Sequence, residues 1–187
     1  MPSATPPPEH LREAVESVLI GETEISARVR ELAADIERDF IDRDLLVVAL
    51  LTGTVPFLAD LIRHITLPLR LDFMGVSSYG NNTAPGELVF TKELRLEAKN
   101  RDVLLVDDIL DTGKTLHTVI DKLNALEPRS LKTCVLLEKK SRRSEKITAD
   151  YVGFEVPDAF VVGYGLDYAE RYRNLPFIGI LKPEVYA

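Results

Sequence analysis

The sequence predicts an α/β domain in which a central parallel sheet is flanked by helices on both faces. Three observations predict it. Short apolar runs at Leu45–Leu51, Val103–Val106 and Leu131–Leu137 have the length of buried strands. The first two are each followed by a turn signal and then by apolar residues at helical spacing, and that alternation belongs to parallel sheets. Finally, 187 residues with 45% hydrophobic and 28% charged content suit one globular domain with a sizeable core.

Met1–Pro8, with four prolines among small polar residues, reads as part of a flexible tail. The domain division expected is therefore a tail over 1–15 and one domain over 16–187. From Glu22 to Phe40 the positions Ile25, Val29, Leu32, Ala33, Ile36 and Phe40 recur at helical spacing, with Gly21 or Thr23 marking the start. Leu45–Leu51 follows as a strand, Val55–Ile65 as a helix and Leu67–Ser77 as a second strand. Between Ser77 and Leu88 the chain turns polar, and such a loop between extended segments suits an active-site lid. The Val103 strand leads into a helix carrying Leu116, Val119, Ile120 and Leu123, and Leu131–Leu137 closes the series. No internal repeat is visible.

Composition excludes several classes of function. The chain has 23 basic against 30 acidic residues, a net charge of −7, which disfavours nonspecific nucleic-acid binding. No apolar run approaches the length of a membrane span, and the N-terminus lacks a charged segment followed by an apolar one. The expectation is a cytoplasmic protein with no membrane or nucleic-acid partner. The single cysteine, Cys134, lies in an apolar strand pattern and reads as a buried, inert thiol. Lys139, Lys140, Arg142, Arg143 and Lys146 form a basic run whose ordinary meaning is a solvated surface turn. His10, His64 and His117 show neither ligand spacing nor a partnered nucleophile.

The chemistry concentrates in V-L-L-V-D-D-I-L-D-T-G-K-T-L, Val103 to Leu116. Acids and turn sit at a strand-to-helix junction, the carboxyl end of a strand where open α/β sheets bind ligands. The backbone N–H groups of Thr112, Gly113, Lys114 and Thr115 would open the helix, where spare donors and the positive end of the dipole favour a phosphate. Gly113 permits close approach of the main chain, and the two threonine hydroxyls add donors. Bare carboxylates repel phosphate, so Asp107, Asp108 and Asp111 need another purpose. Asp107 and Asp108 can accept hydrogen bonds from a vicinal diol such as a ribose, or hold Mg²⁺ through water. A ribose phosphate fits both halves of the motif.

Spacing removes two other phosphate motifs. A Walker A loop needs glycine five positions before the Gly-Lys pair, and that position is Asp108. Gly163-Tyr164-Gly165 begins like a dinucleotide fingerprint, but Tyr168 stands where its third glycine belongs. Gly153, Gly163, Gly165 and Gly179 read as turn residues.

The Val103–Leu116 stretch resembles the phosphoribosyl-pyrophosphate motif of the type I phosphoribosyltransferases. Other segments narrow the resemblance to the bacterial hypoxanthine-guanine phosphoribosyltransferases: Leu71–Gly80, Leu136–Lys139, Tyr151–Asp158, Phe160–Tyr168, Arg173–Pro176 and Leu181–Tyr186. It covers roughly Glu16 to Tyr186. The resemblance implies the type I fold with a small hood built from the C-terminal segment, and a homodimer or homotetramer. It implies transfer of 5-phosphoribosyl from phosphoribosyl pyrophosphate to hypoxanthine or guanine, with Mg²⁺, giving IMP or GMP.

Carried over residue by residue, the resemblance makes Asp111 the group that handles the purine N7 proton. Asp107 and Asp108 match the acidic pair at the ribose hydroxyls and metal, and Thr112, Gly113, Lys114 and Thr115 the 5′-phosphate cradle. Lys139 matches the reader of the 6-oxo group, Phe160 the ring stacked on the base and Val161 a main-chain contact to it. Asp167 matches a metal ligand, Arg173 a pyrophosphate contact, and Ser78-Tyr79 the mobile lid. On residues alone, Phe160 is equally a core residue, and Asp167 with Arg173 equally a surface pair.

Two departures stand out. The usual first acid of the pair is Glu, and here it is the shorter Asp107. The family's Leu-Lys-Gly, with a cis peptide facing the pyrophosphate, is Leu51-Thr52-Gly53 here, so Thr52 and Gly53 would act through main-chain donors. Two rival readings remain: a nucleotide- and RNA-binding regulator of the same fold, which would need a basic face, and an enzyme acting on xanthine or a pyrimidine.

Overall fold

The computed structural model describes residues 7–77, 88–142 and 144–186. The lid expected around Ser78 and Tyr79 lies outside the described residues, as does Arg143.

Two sheets carry the architecture. The larger has six strands in the order β4-β3-β2-β5-β6-β7: β2 (Leu45–Leu51), β3 (Leu69–Ser77), β4 (Val89–Lys92), β5 (Asp102–Leu110), β6 (Ser130–Glu138) and β7 (Tyr151–Glu155). All neighbours are parallel except β4, which runs antiparallel to β3. Side chains alternate across a strand, and here both faces are buried, so the central strands read as unbroken apolar runs. Leu45, Val47, Ala49, Leu104, Val106, Cys134 and Leu136 pack against α1 (Glu22–Phe40) and α2 (Val55–Arg63). Leu46, Val48, Leu50, Val103, Leu105 and Val135 face the other way, onto Leu116, Val119 and Leu123 of α3 (Lys114–Asn124). The expected parallel sheet with helices on both faces is present. Cys134 is fully buried, and burial pushes its thiol pKa far up, as an inert core cysteine requires.

Local signals account for the boundaries. The helix expected from Glu22 to Phe40 has those limits, with Gly21 extended before it. Pro68 has no N–H to give a ladder, and β3 starts one residue after it rather than at Leu67. β5 continues past the apolar run, so Asp107 and Asp108 lie inside the strand while Asp111 begins the turn.

The smaller sheet is the hood expected from the C-terminal segment, with one strand added from the N-terminal side. Its order is β1-β9-β8, and β1 (Val15–Ile20) comes from the N-terminal side, pairing antiparallel with β9 (Ile178–Leu181), which pairs with β8 (Val161–Val162). Ordered structure also reaches into the 1–15 stretch read as a tail. Glu9–Leu11 form a 3-10 turn, Val15 is 1% exposed, and the Lys182 N–H donates to the Ala14 carbonyl at 2.9 Å. A short edge strand with only two inward apolar residues, Val15 and Ile20, leaves little period to read in sequence.

Charged groups fasten both ends of the large sheet. At the start of β5, the fully buried Asp102 accepts from Arg43 (3.3 Å), Arg129 (3.0 Å) and Ser130 Oγ (2.7 Å), tying the beginnings of β2 and β6 together. Asp72 on β3 is the second hub. Its Oδ2 accepts the N–H groups of Arg95 (2.6 Å) and Leu96 (2.8 Å), and its Oδ1 accepts from Phe73 N–H (2.8 Å) and Lys92 Nζ (3.1 Å). Burial alone would raise this carboxyl, but the three N–H donors and Lys92 outweigh it and bring the pKa to about 2.

Because the folded pKa lies below the unfolded value of about 3.9, the stabilisation is complete above about pH 4 and is lost as pH falls toward 2. Asp72→Ala is expected to lower stability at pH 7 by about 2 kcal/mol, since it removes a buried acceptor from four half-buried donors. Urea midpoints against pH check both effects: the variant should show a smaller loss between about pH 4 and pH 2 than the parent.

Candidate active site

The carboxyl ends of β2 and β5 lie side by side, and the loops leaving them face each other across a cleft of about 240 Å³. Its walls include Leu50, Leu51, Val76, Asp107, Asp108, Asp111, Thr112, Gly113 and Thr115. Asp107 is 8% exposed. Its Oδ1 accepts the Asp108 N–H (2.9 Å) and, more loosely, the Thr54 hydroxyl (3.4 Å). Burial and then the neighbouring Asp108 push the Asp107 carboxyl well above the usual range. Burial raises Asp108 too, against the lowering effects of its hydrogen bonds and of Arg173. Two adjacent acids, one buried and one half-buried, thus face the cleft as oxygen donors, with Arg173 acting on Asp108.

Below the acids, the chain after β2 presses directly on them. The Leu51–Thr52 peptide is cis. Thr52 is exposed, and its carbonyl accepts the Val55 N–H (3.2 Å) at the entry to α2. A Cβ on Gly53 would overlap the Asp108 carboxylate, and one on Gly165 would overlap the Gly53 carbonyl, so backbone-to-backbone contact here requires glycine.

The turn after β5 has the geometry of an anion cradle. Gly113, at φ 89°, makes the left-handed step that turns the strand into α3, and no side chain caps that helix. The first-turn donors after Lys114 are therefore left for the cleft. The Thr112 hydroxyl accepts the Lys114 N–H (3.4 Å). The Thr112 carbonyl is held by Ser144 N–H (3.0 Å), Ser144 Oγ (3.1 Å) and Glu145 N–H (3.2 Å). Ser144 and Glu145, which lie among the residues of the basic run, thus brace the cradle through their main chain and the serine hydroxyl. Thr115 lines the cleft, and Lys114 opens the helix with its side chain exposed.

A second cleft of about 240 Å³ adjoins the first, and Asp108, Ile109 and Asp111 line both. Lys139, Arg142, Phe160, Val161 and Asp167 complete it. Lys139 is 5% exposed, with its N–H donating to the Leu110 carbonyl (3.0 Å); burial lowers its ammonium pKa while Asp111 opposes that shift. Lys140, next to it, turns outward to Glu155 (2.7 Å). Asp111 sits at the junction. Its Oδ2 lies 3.6 Å from Arg142, and its Oδ1 is buried without a hydrogen-bond partner among the described residues. Arg142 is the site residue that sequence reasoning missed; its only signal was membership of the basic run.

The loop after β8 brings in the remaining candidates. Asp167 and Arg173, matched to separate duties by sequence, are each other's partners at 2.9 Å. Asp167 Oδ2 also accepts the Glu170 N–H (2.9 Å), and Arg173 donates to the Gly165 carbonyl (2.9 Å). Four non-glycine residues here have positive φ: Tyr164, Ala169, Glu170 and Tyr172. Such backbone persists only where its surroundings impose it, and the Tyr164 hydroxyl, donating to Asp60 (2.6 Å), anchors the loop to α2. Phe160 is 36% exposed, so it is not the core residue its apolar neighbours suggested. His117 faces Asp121 on the surface of α3 at 3.6 Å. Among the described residues no three His, Cys, Asp or Glu side chains converge as a ready-made metal site. No helix of the described residues is long and apolar enough to cross a membrane.

Fold and site together define a class. Residues 21–169 match the phosphoribosyl transferase domain, and the chain belongs to that family. The similarity then narrows to the hypoxanthine-guanine group. The hypoxanthine-guanine phosphoribosyltransferase of Bacillus subtilis is 50% identical over 177 residues, which is 94% of this chain and 98% of that protein. The Staphylococcus epidermidis protein of the same name is 47% identical over 174 residues, 92% and 97% of the two chains. A crystal structure of a hypoxanthine phosphoribosyltransferase from Staphylococcus aureus superposes with a TM-score of 0.90 at 44% identity, covering 96% of this chain and 98% of that one.

The buried acid pair generates a prediction about stability. Asp107→Asn keeps the Oδ1 acceptor but replaces a carboxyl whose raised pKa costs stability as pH rises above about 4, so the variant should escape that loss and be more stable than the parent at pH 7 by about 1 kcal/mol. Calorimetry should show the midpoint up by about 2–4 °C.

Proposed function

We propose that the protein transfers the 5-phosphoribosyl group of phosphoribosyl pyrophosphate to hypoxanthine or guanine, giving IMP or GMP and pyrophosphate. The observation that carries this reading is Asp111: a buried carboxylate oxygen, without a hydrogen-bond partner among the described residues, where an anion cleft and a lysine-lined cleft meet. A phosphoribosyl donor in the first cleft and an oxopurine in the second would join there.

The residues divide the work by charge. Thr112, Gly113, Lys114 and Thr115 hold the 5′-phosphate with main-chain and hydroxyl donors. Asp107 and Asp108 accept from the ribose hydroxyls. Thr52 and Gly53 meet the pyrophosphate through their main chain, and Arg173 leaves Asp167 to share in neutralising it. As C1 becomes oxocarbenium-like, negative charge grows on the leaving group, and the proton on the purine must move. Asp111 accepts or returns the N7 proton, with Arg142 beside it fixing the carboxylate. Lys139 donates to the 6-oxo group, Phe160 stacks on the ring and Val161 offers its main chain. A cation donates but cannot accept, so the site favours a 6-oxo over a 6-amino purine.

Mg²⁺ fits this donor set. It is commonly held by one or two carboxylates, waters and substrate phosphates, which suits Asp107, Asp108 and Asp167 without a three-acid cage. When bound it supplies positive charge to the departing pyrophosphate. A cytoplasmic homodimer or homotetramer without membrane or nucleic-acid partners is the accompanying reading; the net charge of −7 supports the last point.

The direct test offers each of hypoxanthine, guanine, xanthine and adenine with phosphoribosyl pyrophosphate and Mg²⁺. IMP and GMP should form and AMP should not; AMP formation at a comparable rate defeats the reading. Within that assay, Asp111→Asn should lower kcat about a hundred- to ten-thousand-fold while donor binding changes only a few-fold. Steady-state kinetics beside donor titration separates the two. Lys139→Gln should raise the KM for hypoxanthine and guanine and relax the rejection of adenine, because an amide both donates and accepts. Competition between the bases measures that change, and an unaltered preference removes Lys139 from the role.

A further inference from the structure

We propose that Tyr186 is a positioning residue for base recognition, holding the Phe160 ring at the angle at which a purine stacks on it. This rests on Phe160 being the base wall. Phe160 stands immediately before β8, and its carbonyl accepts the Leu181 N–H (2.8 Å), so β9 fixes its backbone. Its ring, with 36% of the residue exposed, has no equivalent hold from the core.

Two tyrosines supply that hold. The Tyr186 ring stacks on Phe160 with centroids 4.9 Å apart and planes 26° from parallel, and the Tyr168 ring meets it edge-on at 5.5 Å and 90°. Phe160 lines the second cleft, whereas neither tyrosine is among the described residues lining it. The two tyrosines thus pack on Phe160 without lining the cleft, and on this proposal a planar base entering the cleft completes a series of Tyr186, Phe160 and base.

The seat of Tyr186 is itself braced. It belongs to α4 (Pro183–Tyr186), where the Val185 N–H donates to the Lys182 carbonyl (3.0 Å). Lys182 N–H donates to Ala14 next to β1, so the support runs back into the hood sheet. A half-exposed ring that must be immobilised by its ligand costs affinity, and a ring already stacked does not. Tyrosine suits the position because its ring can pack on Phe160 while the residue stays 38% exposed.

The test measures Tyr186→Ala, Tyr186→Leu and Tyr186→Phe in the full chain, with Phe160→Leu in parallel. Tyr186→Ala and Tyr186→Leu should raise the KM for hypoxanthine about three- to tenfold, or about 0.6–1.4 kcal/mol. The KM for phosphoribosyl pyrophosphate, kcat and the thermal midpoint should stay close to the parent values, and Tyr186→Phe should restore base affinity. A merely structural role would move both Michaelis constants together, and that outcome overturns the proposal. So does a lowered hypoxanthine KM, which would mean that Tyr186 competes with the base. If Phe160→Leu raises the hypoxanthine KM and Tyr186→Ala does not, the proposal alone fails. If neither does, the base-wall reading fails with it.

Discussion

The acid pair Asp107–Asp108 at the end of β5 is the constraint around which the site is built. Two neighbouring carboxylates removed from water repel each other and lose hydration, and both pKa values rise as a result. Such a site persists only on a rigid support. β5 provides one: it lies between β2 and β6, with Val103 to Val106 fully buried on both faces, and its first residue is fixed by arginines. Burying each such side chain contributes about 1.5–3 kcal/mol, enough over three central strands to carry an unfavourable feature at one end. The Asp108 side also depends on Gly53, since any larger residue would occupy the carboxylate's place.

The hood solves a second problem, the assembly of a base wall from short segments. β8 has two residues and β9 has four, too few to stand alone. They are stabilised by β1 and by the small cluster of Val15, Leu175 and Phe177. The loop that follows β8 is then held by Tyr164 on Asp60 and by Arg173 on Gly165 and Asp167. The first fastens the hood loop to α2 and the others brace the loop on itself, while the close approach of Gly165 to the Gly53 carbonyl joins it to the loop after β2, so the base wall and the pyrophosphate side share supports. A buried oxygen with no partner, as Asp111 Oδ1 is among the described residues, costs about 1–3 kcal/mol in an ordinary interior, and each such exception calls for a role such as ligand binding.

Much of the large sheet was legible because its signals are local. Helix α1 has a strict period and a glycine before it, and β2, β5 and β6 are apolar because both faces are covered. Strands β1, β7, β8 and β9 escaped notice: they are edges or two-to-five-residue pieces whose pairing is set by partners far along the chain. Arg142 was passed over for a related reason. Its charge is indistinguishable in sequence from that of Lys140, and only the fold turns one toward Asp111 and the other toward Glu155.

By itself the sequence determined the strand-turn-helix unit of Val103–Leu116, the chemistry of its acids and turn, and the inert character of Cys134. Spacing inside one segment encodes all of these, since strand and helix periods and the left-handed step at Gly113 act over a few residues. Tertiary structure alone decided that Lys139, Arg142 and Phe160 share a cleft with Asp111, that Asp167 pairs with Arg173, and that Val15 completes the hood. It also decided that Tyr186 stacks behind Phe160. Those meetings join residues tens of positions apart, and they follow from sheet order and packing, which no local period carries.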